Sequence, residues 1–275
     1  MHKSGLNYIG DLAVEALKLE ASVTPKPGLV DRENNGAHHD MDYQLFLRSS
    51  EALRECFTDC AKAGADASKL REIGIKGETS MYTATNHVNT HKGLIFSMGI
   101  LCGALGELSS KDRDFSEDDV QKLCAELAVD LLSDERAKET HGLLVLERTG
   151  IKGIRGEALS GFESVFGMSL MALRSAIEDG YDFEPAMVKT LLALMAHTED
   201  SNLVHRGGEK GLNFVREHSA AMLTHVDLRR SEDLEMVKAF DEICIEKNLS
   251  PGGSADLLAL TAMLYLFFEE IRKEG

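Results

Sequence analysis

Apolar residues recur at helical spacing along most of this chain. One stripe with i, i+3, i+4 spacing begins near the N-terminus and consists of Leu6, Ile9, Ala13, Leu17 and Ala21. Comparable spacing recurs at Leu45, Leu53 and Phe57, at Val120, Leu123, Leu127 and Leu131, and at Val188, Leu191, Leu192 and Met195. No clear strand-like alternation lies between turn signals. The pattern predicts an all-α protein of roughly ten to twelve helices.

The C-terminal segment, residues 255–272, is apolar around much of its circumference. A helix of that kind is normally buried, so we expect it to lie at the centre of the fold. No flexible linker, internal repeat or low-complexity tract interrupts the chain. We therefore predict one compact multi-helix domain over residues 1–275, built around a buried C-terminal helix.

The composition is that of a globular protein, with 43% hydrophobic residues and a formal net charge of -16 over 275 residues. That charge disfavours a nucleic-acid-binding surface. A small polyanionic substrate remains compatible with it, provided that a local basic pocket, a bridging cation or both are present.

Cysteines and apolar runs indicate the compartment. The five cysteines are scattered without a CxxC pair, which favours reduced core thiols over disulfides or a zinc site. The N-terminus lacks the apolar core of a signal peptide, and the longest apolar runs are interrupted by charge before they reach the length of a membrane span. We expect a cytoplasmic protein with no membrane partner.

Residues 78–97 are the first candidate for chemistry. A polar half that includes Glu78 leads through Thr90, His91, Lys92 and Gly93 into an apolar run. Thr90 is a good N-cap, which would place the next three residues in the first turn of a helix. The free amides of that turn, the lysine and the histidine would together form an anion site with a titratable group. An ordinary capped helix with an incidental histidine is the alternative.

This stretch and four further segments, at residues 24–32, 34–42, 153–162 and 200–208, combine glycine or proline with paired bases and acids, and we expect them to be loops. In the segment at 34–42, Asp40 or Asp42 could cap the helix that follows. Residues 248–257 repeat the logic of a helix start, with Ser250 as N-cap, Pro251 at the first helical position, and Gly252 and Gly253 exposing amides. Asp256 falls in the next turn of the buried helix, where a carboxylate needs a base or a metal as partner.

Each of these segments also has a structural interpretation, because such residues end, cap and brace helices. Together they supply a set of cations and a set of acids that suit phosphate and a divalent cation. The cations are Lys26, Arg32, Lys92, Arg155 and Arg206, and the acids are Asp31, Glu78, Glu157, Asp200 and Asp256.

The motifs resemble those of the triphosphoribosyl-dephospho-coenzyme A synthases of the CitG/MdcB type. The resemblance rests on residues 25–31, 89–93, 154–158, 200–208 and 249–257, in the same order and over essentially the whole chain. Three positions depart from the pattern: His87 stands in place of a glycine, Leu143 in place of an acid, and Ser201 in place of a threonine.

The resemblance implies a glycosyl transfer. The ribose 2′-hydroxyl of 3′-dephospho-CoA attacks C1′ of the ribose of ATP, and adenine leaves while the triphosphate stays on the sugar. It also implies Mg²⁺ and a product that serves citrate lyase or malonate decarboxylase through a transferase acting on an acyl carrier protein. A homodimer is a further expectation.

Roles follow from the resemblance as hypotheses. His91, Glu157 and Asp31 are the expected catalytic residues, and Glu78, Asp200 and Asp256 the expected metal ligands. Triphosphate binding is assigned to Lys26, Thr90, Lys92, Arg155, Arg206, Ser250, Gly252 and Gly253. Two other functions remain open: a metal-dependent all-α nucleotide or ADP-ribosyl hydrolase, and a non-catalytic nucleotide-binding protein.

Overall fold

The structure is a computed structural model that describes residues 5–111, 114–133, 151 and 153–274. These residues form α-helices and no strands, which confirms the all-α prediction. The helices are α1 (Asn7–Ser22), α2 (Tyr43–Ala52), α3 (Arg54–Ala63), α4 (Ala67–Ala84), α5 (Lys92–Ser109), α6 (Glu117–Ser133), α7 (Gly153–Leu159), α8 (Leu170–Glu178), α9 (Phe183–His197), α10 (Ser201–His225), α11 (Ser231–Glu246) and α12 (Gly252–Glu274). A π-helical turn, Val165–Ser169, leads into α8.

The predicted apolar stripes mark buried helix faces. All four apolar residues of the stripe on α9 are buried, as are Val120, Leu127 and Leu131 on α6. The stripe over residues 45–57 spans two helices instead of one, because α2 ends at Ala52 and α3 begins at Arg54. The Asp42 carboxylate accepts a hydrogen bond of 2.7 Å from Leu45 N, so this residue caps α2 as one of the two candidates proposed for it.

The C-terminal helix α12 is central, as predicted. It packs against α1 and α5 from the first half of the chain and against α8, α9 and α10 from the second half. Its buried residues belong to one contiguous apolar cluster that extends from Ile9 to Phe268. The two halves of the chain therefore share a core through this helix.

Helix α5 also lies in the core. Among the described residues it is the one helix long and apolar enough by composition to cross a membrane, with a mean hydropathy of 1.3 over Lys92–Ser109. The expectation that no apolar run reaches that length was therefore wrong. However, 72% of this helix is buried inside the protein, as is usual for a core helix.

Glycines allow α3 to lie close to both of its neighbours. A Cβ on Gly106 of α5 would stand 2.0 Å from the carbonyl oxygen of Ala61, and one on Gly10 of α1 would stand 2.1 Å from Thr58 Oγ1. Backbones at these two contacts approach more closely than any side chain would permit. The packing places α5 in the core with its N-terminal end directed toward the other polar segments.

Three segments predicted as loops are helical. Residues 78–84 end α4, Gly153–Leu159 is α7, and the segment from Ser201 belongs to α10, with a kink at Gly208 (φ 63°). A glycine costs a helix about 1 kcal/mol relative to alanine. Capping and tertiary packing offset that cost, as they do where Asp200 accepts hydrogen bonds from Asn202 N and Leu203 N.

We expect Gly106→Ala to lower the free energy of unfolding by about 1–3 kcal/mol, because the new methyl group overlaps the backbone of α3. Gly74→Ala on α4 is the matched control, since a Cβ at Gly74 meets nothing within 4 Å. That control should gain roughly 0.4–1 kcal/mol. Urea denaturation measures both, and equal stability of the two variants would contradict the close approach of α3 and α5.

Candidate active site

The polar segments converge on one cavity of about 1180 Å³. Its lining comes from the loop after α1, the N-terminal ends of α5, α10 and α12, and residues of α4, α6 and α7. Eleven of the fourteen predicted site residues line it: Lys26, Glu78, Thr90, His91, Lys92, Arg155, Arg206, Ser250, Gly252, Gly253 and Asp256. Asp31, Glu157 and Asp200 do not.

The cavity is cationic although the protein is acidic. Among the described lining residues, five side chains carry a positive charge and three carry a carboxylate. The cations are Lys26, Arg71, Lys92, Arg155 and Arg206, and the carboxylates belong to Glu20, Glu78 and Asp256. The local basic pocket that a polyanionic substrate requires is therefore present.

The start of α5 differs from the prediction. The helix begins at Lys92, whose N–H donates to Asn89 Oδ1 at 3.2 Å, and its N-cap residue is His91. Thr90 is not the cap, because its hydroxyl shares a hydrogen bond of 2.6 Å with Ser49 Oγ. The N–H groups of the next two residues, 93 and 94, have no partner in the described part of the chain. Such amides are suited to an anion.

In the described part of the chain, His91 is a buried residue of the site with one bonded and one unbonded ring nitrogen. Its side chain is buried, and Nδ1 lies 2.6 Å from Ser49 Oγ. Its Nε2 is also buried but has no hydrogen-bond partner in the described structure. A buried nitrogen without a partner costs about 1–3 kcal/mol of stability. Proteins keep such a group most readily where a ligand supplies the missing hydrogen-bond partner. Burial, and then the charge of Lys26, lowers the pKa of His91 to about 3, so the free protein holds a neutral imidazole.

Lys26 and Glu20 form a buried ion pair at the cavity wall. Lys26 Nζ donates to Glu20 Oε1 at 2.6 Å and to the Glu20 carbonyl oxygen at 2.8 Å. The side chain of Lys26 is 2% exposed, so it does not project from its loop into solvent. Sequence reasoning missed Glu20, although an acid three residues after Leu17 on the apolar stripe of α1 was a signal of a buried charge.

Asp256 lies against the start of α5. A Cβ on Gly93 would stand 2.8 Å from Asp256 Oδ2, so a larger residue at position 93 would displace this carboxyl. The carboxyl has no hydrogen-bond or ion-pair partner among the described residues. Desolvation, followed by the charges of Glu20 and Asp200, raises the pKa of Asp256 well above its usual value. The raised pKa favours the protonated form of this carboxyl group.

Arg206 is held by neutral partners. Its guanidinium donates to the carbonyl oxygen of Ala37 at 2.9 Å, to Asn248 Oδ1 at 2.7 Å and to His38 Nδ1 at 3.1 Å. Burial, and then the charge of Arg206, lowers the pKa of His38 to about 4. A neutral His38 that accepts at Nδ1 donates from Nε2 to Ser250 Oγ, 3.0 Å away. Ser250 is thus bound to His38.

Lys92 and Glu78 connect α5 with α4. Lys92 Nζ lies 3.0 Å from Glu78 Oε2, and the two side chains are 43% and 33% exposed. A predicted phosphate ligand is therefore paired with a predicted metal ligand. Arg155 reaches the cavity from α7, and desolvation lowers its pKa. Arg32 lies elsewhere, in an ion pair with Glu184.

Asp200 is buried behind the cavity. Its Oδ2 accepts hydrogen bonds from Ser254 N at 2.8 Å and Ser254 Oγ at 3.2 Å, while Oδ1 caps α10. This carboxylate already binds backbone N–H groups of Ser254 and Gly253 at the start of α12, so the N–H of Gly253 is not free in the way that was predicted. Desolvation raises the pKa of Asp200.

Asp31 and Glu157 brace loops. The Asp31 carboxylate accepts from the backbone N–H groups of Lys26, Glu33 and Asn34 at 2.7–3.2 Å, which fixes the loop after α1. Glu157 accepts from Ser164 Oγ at 2.6 Å and Ser164 N at 3.2 Å. Desolvation raises the pKa of Glu157.

The predicted metal ligands are not clustered. Within the part of the chain that the structure describes, no group of three or more His, Cys, Asp or Glu side chains is arranged to hold a metal ion. Of the three predicted ligands, Glu78 and Asp256 line the cavity, whereas the oxygens of Asp200 are engaged. A cation bound mainly by substrate phosphates needs only one or two carboxylates, so this donor set fits Mg²⁺ that arrives with a nucleotide.

Of the three departures from the family pattern, Ser201 lines the cavity and His87 lies outside its lining. His87 has a positive φ of 68°, a conformation in which glycine would be unstrained. Leu143 lies outside the described residues. Sequence reasoning also passed over Ser49 and His38, since neither a serine inside a helix nor a histidine in a polar loop stands out without its spatial partners.

The chain is similar to a known family. Residues 6–274 match the family model described as "CitG: ATP:dephospho-CoA triphosphoribosyl transferase". A protein of Vibrio cholerae serotype O1 (strain M66-2) named probable 2-(5''-triphosphoribosyl)-3'-dephosphocoenzyme-A synthase is 42% identical over 272 residues, covering 94% of this chain and 87% of the relative.

Two further relatives have the same breadth of similarity. A 2-(5''-triphosphoribosyl)-3'-dephosphocoenzyme-A synthase of Pectobacterium atrosepticum is 43% identical, covering 94% of this chain and 88% of the relative. A probable synthase of the same name from Albidiferax ferrireducens is 41% identical, covering 93% and 89%. No solved structure matches the chain significantly.

Proposed function

Because this chain belongs to the CitG family of ATP:dephospho-CoA triphosphoribosyl transferases, we propose that it transfers the 5-triphosphoribosyl group of ATP to the ribose 2′-hydroxyl of 3′-dephospho-CoA. The observation that carries the proposal is a cation-lined cavity that brings together His91, Asp256 and the start of α5. Asp256 is far from the other two in sequence, and together these groups match what the reaction requires.

The reaction exchanges one bond at C1′ of the ATP ribose. The 2′-oxygen of the acceptor bonds to C1′ while the bond from C1′ to N9 of adenine breaks, with N9 taking the electron pair. The acceptor oxygen loses one proton and adenine gains one. The sugar acquires cationic character as the bond breaks, as in glycoside cleavage, so nearby carboxylates lower the barrier.

The triphosphate binds where Arg155, Arg206 and the start of α5 line the cavity, and we call this part the cationic end. The unpartnered amides after Lys92 and the positive end of the α5 dipole favour an anion there. Arg206 adds a charge whose hydrogen-bond partners are all neutral, and Arg155 reaches the same cavity. Lys26 contributes less, because Glu20 already neutralises it.

His91 accepts the proton of the acceptor hydroxyl. For Nε2 to accept, Nδ1 must carry the hydrogen and donate it to Ser49 Oγ, whose own hydrogen then goes to Thr90 Oγ1. The low pKa of His91 in the free protein makes it a weak base. A bound triphosphate opposes the charge of Lys26 and raises that pKa toward the range that a general base needs.

Asp256 supplies the proton to adenine. Its raised pKa keeps the carboxyl protonated, while the pKa of His91 is lowered, and such a division of two titratable groups is typical of an acid and a base. This assignment differs from the metal-ligand role inferred from the sequence. We assign Asp31, Glu157 and Asp200 to positioning the loops and helices around the site, because their oxygens bind backbone and serine groups.

Mg²⁺ would be held by the triphosphate and Glu78. When bound, it neutralises phosphate charge and orients the nucleotide. We further propose a cytoplasmic enzyme whose product is the prosthetic-group precursor for citrate lyase or malonate decarboxylase, delivered through an acyl-carrier-protein transferase. The five free and buried cysteines support a reducing compartment. A homodimer stays a prediction.

The test is incubation with ATP, Mg²⁺ and 3′-dephospho-CoA, followed by mass analysis. We expect adenine and the triphosphoribosyl adduct of the acceptor in equal amounts, and neither product when the acceptor is omitted. Release of adenine or nucleoside phosphate without acceptor would indicate a hydrolase instead. No adenine release with any acceptor tested would indicate a non-catalytic nucleotide-binding protein.

His91→Ala should lower kcat by more than about tenfold while ATP affinity measured by calorimetry stays close to that of the wild type. Wild-type turnover in this variant would refute the base assignment.

Ser49→Ala should lower kcat by about tenfold and move the acidic limb of the pH–rate profile to lower pH, because the hydrogen bond that stabilises the imidazolium is lost. An unshifted profile would refute the positioning role of Ser49.

Arg206→Gln should weaken ATP binding by about tenfold, since a charged hydrogen bond to phosphate is worth roughly 1.5–3 kcal/mol. Arg32→Gln is the matched control, because Arg32 is paired with Glu184 outside the cavity lining. Its ATP affinity should stay unchanged. Equal losses in the two variants would show that calorimetry is reporting net charge and not a contact in the cavity.

A further inference from the structure

The cavity extends beyond the cationic end into a channel between α4, α5 and α6. We call this the α4–α6 channel, and its lining is mainly hydrocarbon. Among the described residues it consists of Leu70, Gly74, Ile75, Ile100, Leu131 and Leu132, with Arg71 as the one charged residue, at the far end. The chemistry proposed above uses none of these residues, although they belong to the same continuous cavity.

Contacts between the helices give the direction of the channel. The ion pair of Glu78 and Lys92 joins α4 and α5 at the cationic end. Leu70, eight residues from Glu78 on α4, lies opposite Gly103, eleven residues from Lys92 on α5, and a Cβ on Gly103 would stand 3.0 Å from Leu70 Cδ1. The two helices therefore run antiparallel along the cavity. Eight residues at about 1.5 Å each correspond to a length of about 12 Å.

The far end is formed by the last turn of α6. The Arg71 guanidinium donates a hydrogen bond to the carbonyl oxygen of Leu131, which ties α4 to that turn. Ile75 lines the cavity and is 61% exposed, so its side chain is not taken up by packing in the core. The surface thus offers apolar contact to an uncharged group that enters from the reaction centre.

We propose, on the basis of the function proposed above, that the α4–α6 channel binds the pantetheine arm of the acceptor. In 3′-dephospho-CoA the reacting ribose is joined through a diphosphate to this long, uncharged arm, which has methylene and dimethyl groups. The cationic end takes the phosphates and riboses, and the arm follows α4 and α5 away from it. A cavity of about 1180 Å³ exceeds the roughly 300–1,000 Å³ that is usual for one small ligand, in keeping with two substrates.

Gly74 makes the channel testable. It lines the cavity, and a Cβ there would meet nothing within 4 Å, so a larger side chain at this position grows into open space instead of overlapping the core. Gly74→Leu therefore shortens the room for the arm without displacing a helix. Gly74→Ala adds only a methyl group at the same position and serves as the control.

The experiment measures binding by calorimetry, with 3′-dephospho-CoA and with ATP in separate titrations. Gly74→Leu should raise the Kd for 3′-dephospho-CoA by about tenfold and leave the Kd for ATP unchanged. Gly74→Ala, which adds only one methyl group, should weaken 3′-dephospho-CoA less than Gly74→Leu does and should also leave the Kd for ATP unchanged. Ile75→Ser, a change at an exposed position that the fold tolerates, should also weaken 3′-dephospho-CoA alone.

An unchanged Kd for 3′-dephospho-CoA in both Gly74→Leu and Ile75→Ser would overturn the proposal, as would equal weakening of 3′-dephospho-CoA and ATP. Titration with 4′-phosphopantetheine, which has the arm but no adenosine, adds an independent readout. It should bind the wild type and not Gly74→Leu, and equal binding to both would also overturn the proposal. These titrations measure binding and not turnover. A failure to release adenine would therefore refute the proposed reaction, whereas the channel would still be judged by the Kd values alone.

Discussion

The cavity depends on the buried carboxylate of Asp200. One oxygen caps α10 and the other holds the start of α12 through Ser254, so two helix N-termini are fixed side by side. Arg206 belongs to the first helix and Asp256 to the second. Burying a carboxylate is costly unless its oxygens are satisfied, and here backbone N–H groups and a hydroxyl satisfy them. The same carboxylate favours glycine at position 253, since a Cβ there would lie 3.1 Å from it, closer than an ordinary contact.

Ionisable side chains serve two different purposes in this protein. Asp31, Asp200 and Asp241 bind backbone or amide groups and hold loops in place, as Asp241 does with Gly28 N at 2.7 Å. Asp256 and His91 have polar atoms without such partners and face the cavity instead. Fully bonded groups stabilise the structure, whereas unpartnered groups cost stability, so the second set is the one that a substrate can complete.

The net charge of the chain is negative, whereas the described lining of its cavity carries more cations than carboxylates. A total of -16 disfavours polyanions at long range, but screening limits that effect to about 8–10 Å at physiological ionic strength. Inside the cavity the balance is reversed, because Arg206 has neutral partners and the start of α5 has unpartnered amides. The acidic surface and the cationic cavity are therefore compatible.

Sequence alone determined the helical class, the buried C-terminal helix and the segments that supply the site, because apolar periodicity and residue chemistry are local properties. It also placed His91 and Lys92 at the start of α5, although Thr90 proved to bond with Ser49 and not to cap the helix.

Only the tertiary structure decided what each polar residue of the site does. Asp31, Asp200 and Asp256 are alike in sequence, each an acid in a segment that also holds glycine or serine, yet two are saturated with hydrogen bonds and one is not. The role of a buried carboxylate is set by its spatial partners, and those come from helices far away in the chain. For the same reason the pairing of Lys26 with Glu20 and the contact of Ser49 with His91 appeared only once α1, α2 and α5 were packed together.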